Sequence, residues 1–267
     1  MKFKELGATG VQLPEIGLGT WQYRGGTEPL LKGISLGAFL IDTAEMYGTE
    51  GVVGEAIKDR RDRGFIATKV SGDHLRYDEV LKAAEGSLRR LGIQCIDLYQ
   101  VHWPDPSVPI RETMRAMEAL VEGGKVRFIG VSNFSVTELQ EAQAAMGKHT
   151  IVSNQVLYNL FERDIEEDLL SYCEEQRITV MAYTPLAKGK LAAKSSLRHK
   201  RAMEALRNIA RETGKTVVQV ALNWCIARPT VIAIPKAGSV EHVIEDCGAS
   251  GWRLSPEHLE VLNRAFR

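Results

Sequence analysis

Short runs rich in apolar and β-branched residues recur along the chain at Ile16–Thr20, Phe39–Asp42, Phe65–Lys69, Ile96–His102, Val126–Ser132, Ile151–Gln155, Thr179–Tyr183 and Val231–Ile234. Their length and composition predict strands buried on both faces. Between them the apolar residues take helical spacing, as in Val80, Leu81, Ala84, Leu88 and Leu91, in Met114, Met117, Leu120 and Val121, and in Leu169, Leu170 and Cys173. Ser135 predicts a helix start before Val136–Ala145, and Asp164 one before Ile165–Gln176; Gly92 and Gly123-Gly124 predict helix ends. Val240–Gly248 and Pro256–Ala265 also read as helices. Residues 2–6 and 11–14 flank Gly7-Ala8-Thr9-Gly10, the pattern of a hairpin.

Strands and helices alternate without a composition break or linker. The expectation is an α/β fold, a (β/α)8 TIM barrel with a short N-terminal β-hairpin, as a single domain over residues 1–267. A doubly wound sheet is the competing architecture. It lacks support because no Gly-x-Gly-x-x-Gly follows the first strand.

Parallel barrels carry their chemistry at the C-terminal ends of the strands. Those ends here hold Trp21, Asp42, Lys69, His102, Ser132-Asn133, Gln155, Tyr183 and Pro235-Lys236, and Tyr47 follows Asp42 within one turn. Each has a plain structural explanation: Asp42 as a turn cap, Lys69 as a solvated strand end, His102 as an edge histidine. Together they bring a carboxylate, a phenol, an ammonium and an imidazole to one mouth. A phenol with an ordinary pKa of about 10 gives up its proton poorly at neutral pH. An adjacent ammonium favours the phenolate, so Lys69, anchored by Asp42, is expected to lower the pKa of Tyr47. A neutral His102 would orient the substrate oxygen. Such a set can protonate a carbonyl or deprotonate an alcohol, but no amino acid donates hydride, so a nicotinamide cofactor is implied.

The remaining features exclude other classes. Apolar content of 44% and charged content of 25% are ordinary for a globular chain, and 34 basic residues balance 34 acidic ones. Nothing in that balance calls for nucleic acid or an anionic membrane. Cys95, Cys173, Cys225 and Cys247 are far apart and form no CxxC pair, so they read as reduced thiols. The six histidines supply one strand end, His102, which leaves a metal site without ligands. The start of the chain is charged and the most apolar stretch, Thr216 to Pro235, is broken by Gln219, Asn223, Arg228 and Pro229, so the expectation is a cytoplasmic protein.

The motifs Ile41-Asp42-Thr43-Ala44 with Tyr47-Gly48, Thr68-Lys69 and Val101-His102-Trp103-Pro104 resemble those of the aldo-keto reductase superfamily, and the likeness runs from Leu13 to about Gly248. The resemblance implies a (β/α)8 barrel that binds NADP(H) in an extended pose without a Rossmann domain. It implies catalysis by Asp42, Tyr47, Lys69 and His102, with Tyr47 as general acid and base. Ser132, Asn133 and Gln155 would hold the nicotinamide carboxamide and Tyr183 would stack on the ring. Thr20, Trp21, Thr184, Leu186 and Lys188 would line the cofactor cleft. Ile234, Lys236, Ala237, Ser239, His242, Glu245 and Asp246 would form the adenosine-phosphate end.

That end departs from the family pattern. Ala237 stands where serine is frequent, His242 where arginine is, and Asp246 where asparagine is usual. An imidazole clamps phosphate less firmly than a guanidinium, so NADPH is preferred with NADH as a second cofactor. Lys188, Lys190, Lys194, Arg198, His199, Lys200 and Arg201 form a basic run that reads as a solvated helix start; in the family this loop can fold over the cofactor pyrophosphate. Trp21 and Trp103 are expected as apolar walls beside Tyr47 and His102, with Tyr23 and Tyr158 as further candidates. The short stretch after Ile234 leaves no room for the long loop that narrows some family pockets, so an open site for small aldehydes, ketones or sugars is expected. The partner is thus a small carbonyl compound, for a monomer or small homo-oligomer. A second reading is a cofactor-binding regulatory subunit that does not turn over.

Overall fold

The structure, a computed structural model, describes residues 1–192 and 199–267. Strands β1 (Phe3–Glu5) and β2 (Gln12–Pro14) pair antiparallel, Phe3 opposite Pro14 and Glu5 opposite Gln12. The parallel strands follow in chain order: β3 (Leu18–Gly19), β4 (Leu40–Asp42), β5 (Phe65–Val70), β6 (Ile96–Val101), β7 (Val126–Ser132), β8 (Ile151–Leu157), β9 (Thr179–Tyr183) and β10 (Val231–Ala233). Each pairs with the next in one eight-stranded sheet. The sheet closes where Ile16 bridges Ala233, with Gly17 N–H donating to Ala233 O and Gly19 N–H to Pro235 O, both at 2.8 Å. The barrel expectation therefore holds, hairpin included.

Helices α1 (Glu28–Ser35), α2 (Glu50–Ile57), α3 (Tyr77–Leu91), α4 (Ile110–Glu122), α5 (Val136–Ala144), α6 (Leu169–Glu175), α7 (Lys200–Thr213), α8 (Val217–Cys225), α9 (Val240–Cys247) and α10 (Pro256–Ala265) lie outside the strands. Ser135 does cap α5, its hydroxyl accepting from Glu138 N while the Glu138 carboxylate accepts from Ser135 N. One expected helix is shorter than its pattern. Asp164–Glu166 makes a single separate turn, and α6 starts only at Leu169. Glu166 turns aside to accept from Tyr158 Oη at 2.7 Å and from Arg163 at 2.6 Å, and the backbone at Asp168 (φ −146°) interrupts the helix.

Strand alternation divides the core in two. One set of side chains, including Ile41, Ile66, Val70, Tyr99, Val101, Ile129, Val131 and Val180, packs outward against the helices. The other set, Leu6, Leu13, Leu40, Phe65, Ala67, Leu98, Val152, Met181, Ile232 and Ile234, fills the barrel. Burying each large apolar side chain contributes about 1.5–3 kcal/mol. Leu6 and Leu13 come from the hairpin, which thereby plugs the N-terminal end. On β4, β5 and β6 the same alternation continues upward to Asp42, Lys69 and Gln100. On β8 a register irregularity against β7 brings Ser153 opposite Gly130 and Gln155 opposite Ser132, so the polar groups gather at the opposite mouth. No described helix is long and apolar enough to cross a membrane.

Candidate active site

Asp42 is the last residue of β4 and lies between Gly19 of β3 and Ala67 of β5 in the ladder. Lys69 reaches it from β5: Nζ donates to Asp42 Oδ2 at 2.7 Å, to Asp42 Oδ1 at 2.9 Å and to Thr43 O at 2.8 Å. Lys69 is wholly buried and Asp42 nearly so. Burial pulls the Lys69 ammonium down, and Asp42 opposes that pull. Such a pair persists in the interior because its donors and acceptors are nearly all matched.

Tyr47 ends a one-turn helix, Glu45–Tyr47, and the chain leaves it through Gly48 at φ +69°, a left-handed position that suits glycine. This sharp turn swings the phenol back over the strand ends. Tyr47 Oη lies 3.3 Å from His102 Nε2, the two rings meet edge to face at 5.4 Å, and Lys69 Nζ is 5.0 Å from the Tyr47 ring centre. The four chemically capable groups inferred from the strand ends are thus linked in the order Asp42, Lys69, Tyr47, His102.

Their electrostatics differ from expectation at one point. Tyr47 is not shifted down by Lys69; burial, then Asp42 and Tyr183, push its phenol well above the ordinary range. Burial decides the shift, and Asp42, which holds the Lys69 ammonium, offsets its field. His102 behaves as expected, burial and then Lys69 lowering it to about 3, so the imidazole is neutral. Tyr47 therefore remains a protonated donor beside a neutral ring.

Around this centre the polar strand ends form a connected ledge. Ser132 Oγ donates to Gln155 O at 2.8 Å, Asn133 Nδ2 donates to Ser132 Oγ and to His102 O, each at 3.0 Å, and Tyr183 Oη donates to Asn133 Oδ1 at 3.0 Å. Asn133 holds a left-handed backbone, φ +63°, which asparagine tolerates. Gln155 Nε2 donates to Asp42 Oδ1 at 2.7 Å, so the side chain expected at the carboxamide is also tied to the acid. Thr20 donates to Asp42 O at 2.9 Å and meets Thr49, which in turn meets Thr43.

The other inferred residues fall into two groups. Trp21 and Trp103 are exposed at the mouth, and Lys188 sits 5.8 Å over the Trp21 ring. Met46, next to Tyr47 in the chain, is an exposed apolar side chain that sequence reasoning did not single out. Thr184 and Leu186 are half-buried on the loop after β9, where Thr184 O accepts from Asn159 at 3.1 Å. Ile234 and Ala237 are buried, whereas Lys236 and His242 are exposed and Glu245 is half-buried. Ser239 spends its hydroxyl capping α9, accepting from His242 N at 3.3 Å. Asp246 is buried, and burial with Glu245 nearby pushes its carboxyl up to about 8. Tyr23 and Tyr158 are not walls. Tyr23 donates to Gly26 O, while Tyr158 packs at 5.1 Å on Trp224 and donates to Glu166.

Of the basic run, Lys188 and Lys190 are exposed after β9, and Lys200 and Arg201 are exposed at the start of α7, as a solvated helix start requires. Lys194 and Arg198 lie outside the described residues. Among the described residues no group of His, Cys, Asp and Glu could hold a metal ion.

Residues 15–265 match the model of the aldo/keto reductase family. The chain belongs to that family. It is 39% identical to the methylglyoxal reductase YeaE of Escherichia coli, covering 96% of this chain and 92% of that protein, and 35% identical to a glyoxal reductase of Bacillus subtilis, covering 95% and 89%. Among solved structures it resembles an aldo/keto reductase from Klebsiella pneumoniae in complex with NADP and acetate, with TM-score 0.89, 40% identity and coverage of 99% and 95%. This family member thus carries an oxidoreductase fold whose polar mouth combines a buried ion pair, a phenol and an imidazole.

Proposed function

We propose that this chain is an NADPH-dependent reductase of small reactive carbonyl compounds, with 2-oxoaldehydes such as methylglyoxal as the leading class. The observation that carries the reading is the contact of protonated Tyr47 with neutral His102 above the Lys69–Asp42 pair. The similarity to methylglyoxal and glyoxal reductases supports the substrate class, and the NADP complex of a relative supports the cofactor.

The residues suit a nicotinamide dinucleotide. Ser132, Asn133 and Gln155 offer amide and hydroxyl groups in one ledge beside the Tyr183 ring, matching a planar amide on an aromatic ring. Exposed Lys236 and His242 suit the 2′-phosphate, with NADH as the weaker alternative. When bound, the cofactor supplies hydride to the carbonyl carbon.

The protein's own groups do the rest. Trp21 and Trp103 wall the mouth and hold the apolar part of the substrate. His102 directs its oxygen, and Tyr47 Oη gives that oxygen its proton. Burial disfavours the phenolate whichever way the reaction runs, so the Tyr47 proton moves only with the charge that develops on the substrate oxygen. The test is NADPH consumption with methylglyoxal: Tyr47→Phe should lose about 10²–10⁴-fold in turnover with NADPH affinity unchanged. A variant that keeps most of its turnover would overturn the assignment.

A further inference from the structure

One inward side chain at the same height as the ion pair has no part in the description above. Gln100 lies on β6, between Leu98, which fills the barrel, and His102. It is fully buried, and its Nε2 points at Asp42 Oδ1 from 3.5 Å. Its other polar atom, Oε1, is buried without a hydrogen-bond partner. An orphaned buried carbonyl costs about 1–3 kcal/mol. A residue kept for packing alone would be apolar here.

The neighbouring strand makes room for it. Gly130 of β7 lies opposite Gln100 in the ladder. A Cβ there would overlap Ser153 Oγ and stand 3.0 Å from Gln100 Cγ. Glycine inside a strand weakens it and marks a close approach. Three donors therefore converge on Asp42 from three strands: Lys69, Gln155 and Gln100. Gln155 is also the side chain proposed for the carboxamide. Gln100 has no such second task.

We propose that Gln100 is a positioning residue for the acid–base centre, its amide fixing the Asp42 carboxylate on which Lys69 closes, in space left by Gly130. The inference rests on the reading of Asp42, Lys69 and Tyr47 given above. A contact of 3.5 Å is long for a hydrogen bond, and contacts of this kind tighten in the loaded enzyme.

Two substitutions test it, with NADPH and methylglyoxal as probes and Tyr47→Phe alongside. Gln100→Leu keeps the volume, removes the donor and removes the orphaned carbonyl. It should lower kcat about tenfold, the worth of one hydrogen bond to a charge, with NADPH affinity unchanged and the melting midpoint unchanged or raised. Gln100→Glu keeps the geometry but titrates, facing Asp42 on β4, Lys69 on β5 and His102 at the end of β6. While protonated it donates to Asp42 as the amide does, and once ionised it repels Asp42 and competes for Lys69. Its kcat should fall as pH rises, an ionisation absent from the unaltered protein. Unchanged kcat in Gln100→Leu, a melting loss parallel to the kcat loss, or a pH profile of Gln100→Glu that superimposes on the unaltered one would each overturn the proposal. If Tyr47→Phe is inactive in the same assay, such a result removes the role of Gln100 and leaves the reductase reading standing.

Discussion

Two lysines with desolvated ammoniums, Lys69 wholly buried and Lys4 half-buried, sit at opposite ends of this barrel. At the mouth, Lys69 donates to a carboxylate, Asp42, and to one carbonyl. At the closed end, Lys4 of β1 donates to three carbonyls, Ile226 O at 2.7 Å and Arg228 O and Val231 O at 2.6 Å. Burial lowers both ammoniums, Lys4 to about 8. Their surroundings separate them. Lys4 ties the hairpin to the end of α8 and the start of β10, and its acidic neighbour Glu15 is already held by Arg253. Lys69 lies within reach of a phenol whose proton can leave. A desolvated ammonium is a structural pin where its partners are fixed dipoles, and is available to the proposed chemistry where a titratable group faces it. This division follows the barrel's two faces, stability below and function above.

Removing each lysine tests that division. Lys69→Met leaves Asp42 buried without its counter-ion. It should cost about 3–5 kcal/mol of stability and lower turnover about 10²–10⁴-fold, measured by denaturant unfolding and steady-state NADPH consumption. A variant that folds and turns over normally would erase the contrast. Lys4→Met leaves three carbonyls without their donor and should cost about 1–3 kcal/mol, with kcat unchanged in the folded protein. Loss of kcat at normal stability would place the closed end in the chemistry after all. The neutrality of His102, lowered to about 3, gives a smaller effect at the mouth: the kcat/KM profile for reduction should lack a histidine ionisation between about pH 5 and 8.

The sequence exposes the upper lysine and hides the lower one. Lys69 stands at the end of an apolar run, and in a parallel barrel that position alone implies the mouth. Asp42, His102, Ser132 and Gln155 are legible for the same local reason, as are the eight strands that carry them. Among the described residues the Lys4 ammonium donates its hydrogen bonds to backbone carbonyls more than 220 residues away in the chain, and carbonyls have no residue type to recognise. Gln100 is masked because a strand buried on both faces shows no alternation to reveal which side is the barrel interior. Met46 reads as an ordinary apolar residue until the turn to Gly48 exposes it. The helix expected over Ile165–Gln176 shortens because Glu166 bonds to Tyr158, and spacing within the segment cannot report that contact. The expected lowering of Tyr47 treats Lys69 as a free charge, whereas burial and the Asp42 partner are properties of the assembled fold.

The smallest effect sharpens the comparison most directly, through pH. Lys4 titrates near 8 when folded and near 10.5 when unfolded. Between these values the unfolded chain holds more protons than the folded one, so the Lys4 contribution makes stability rise with pH across that window. Below about 8 both states carry the proton and the contribution is constant. The stability gap between the unaltered protein and Lys4→Met should therefore widen from pH 8 to 10 by on the order of 1 kcal/mol, read from paired unfolding curves. Glu15, Arg253 and Cys225, which face Lys4, are present in both proteins, as is buried Asp246, so their titrations largely cancel. A gap that stays flat would mean that the three carbonyls hold the ammonium's proton as firmly as water does. Lys4 would then be a charge fully compensated by backbone dipoles alone, and lowering by burial would belong to Lys69 and not to both ends of the barrel.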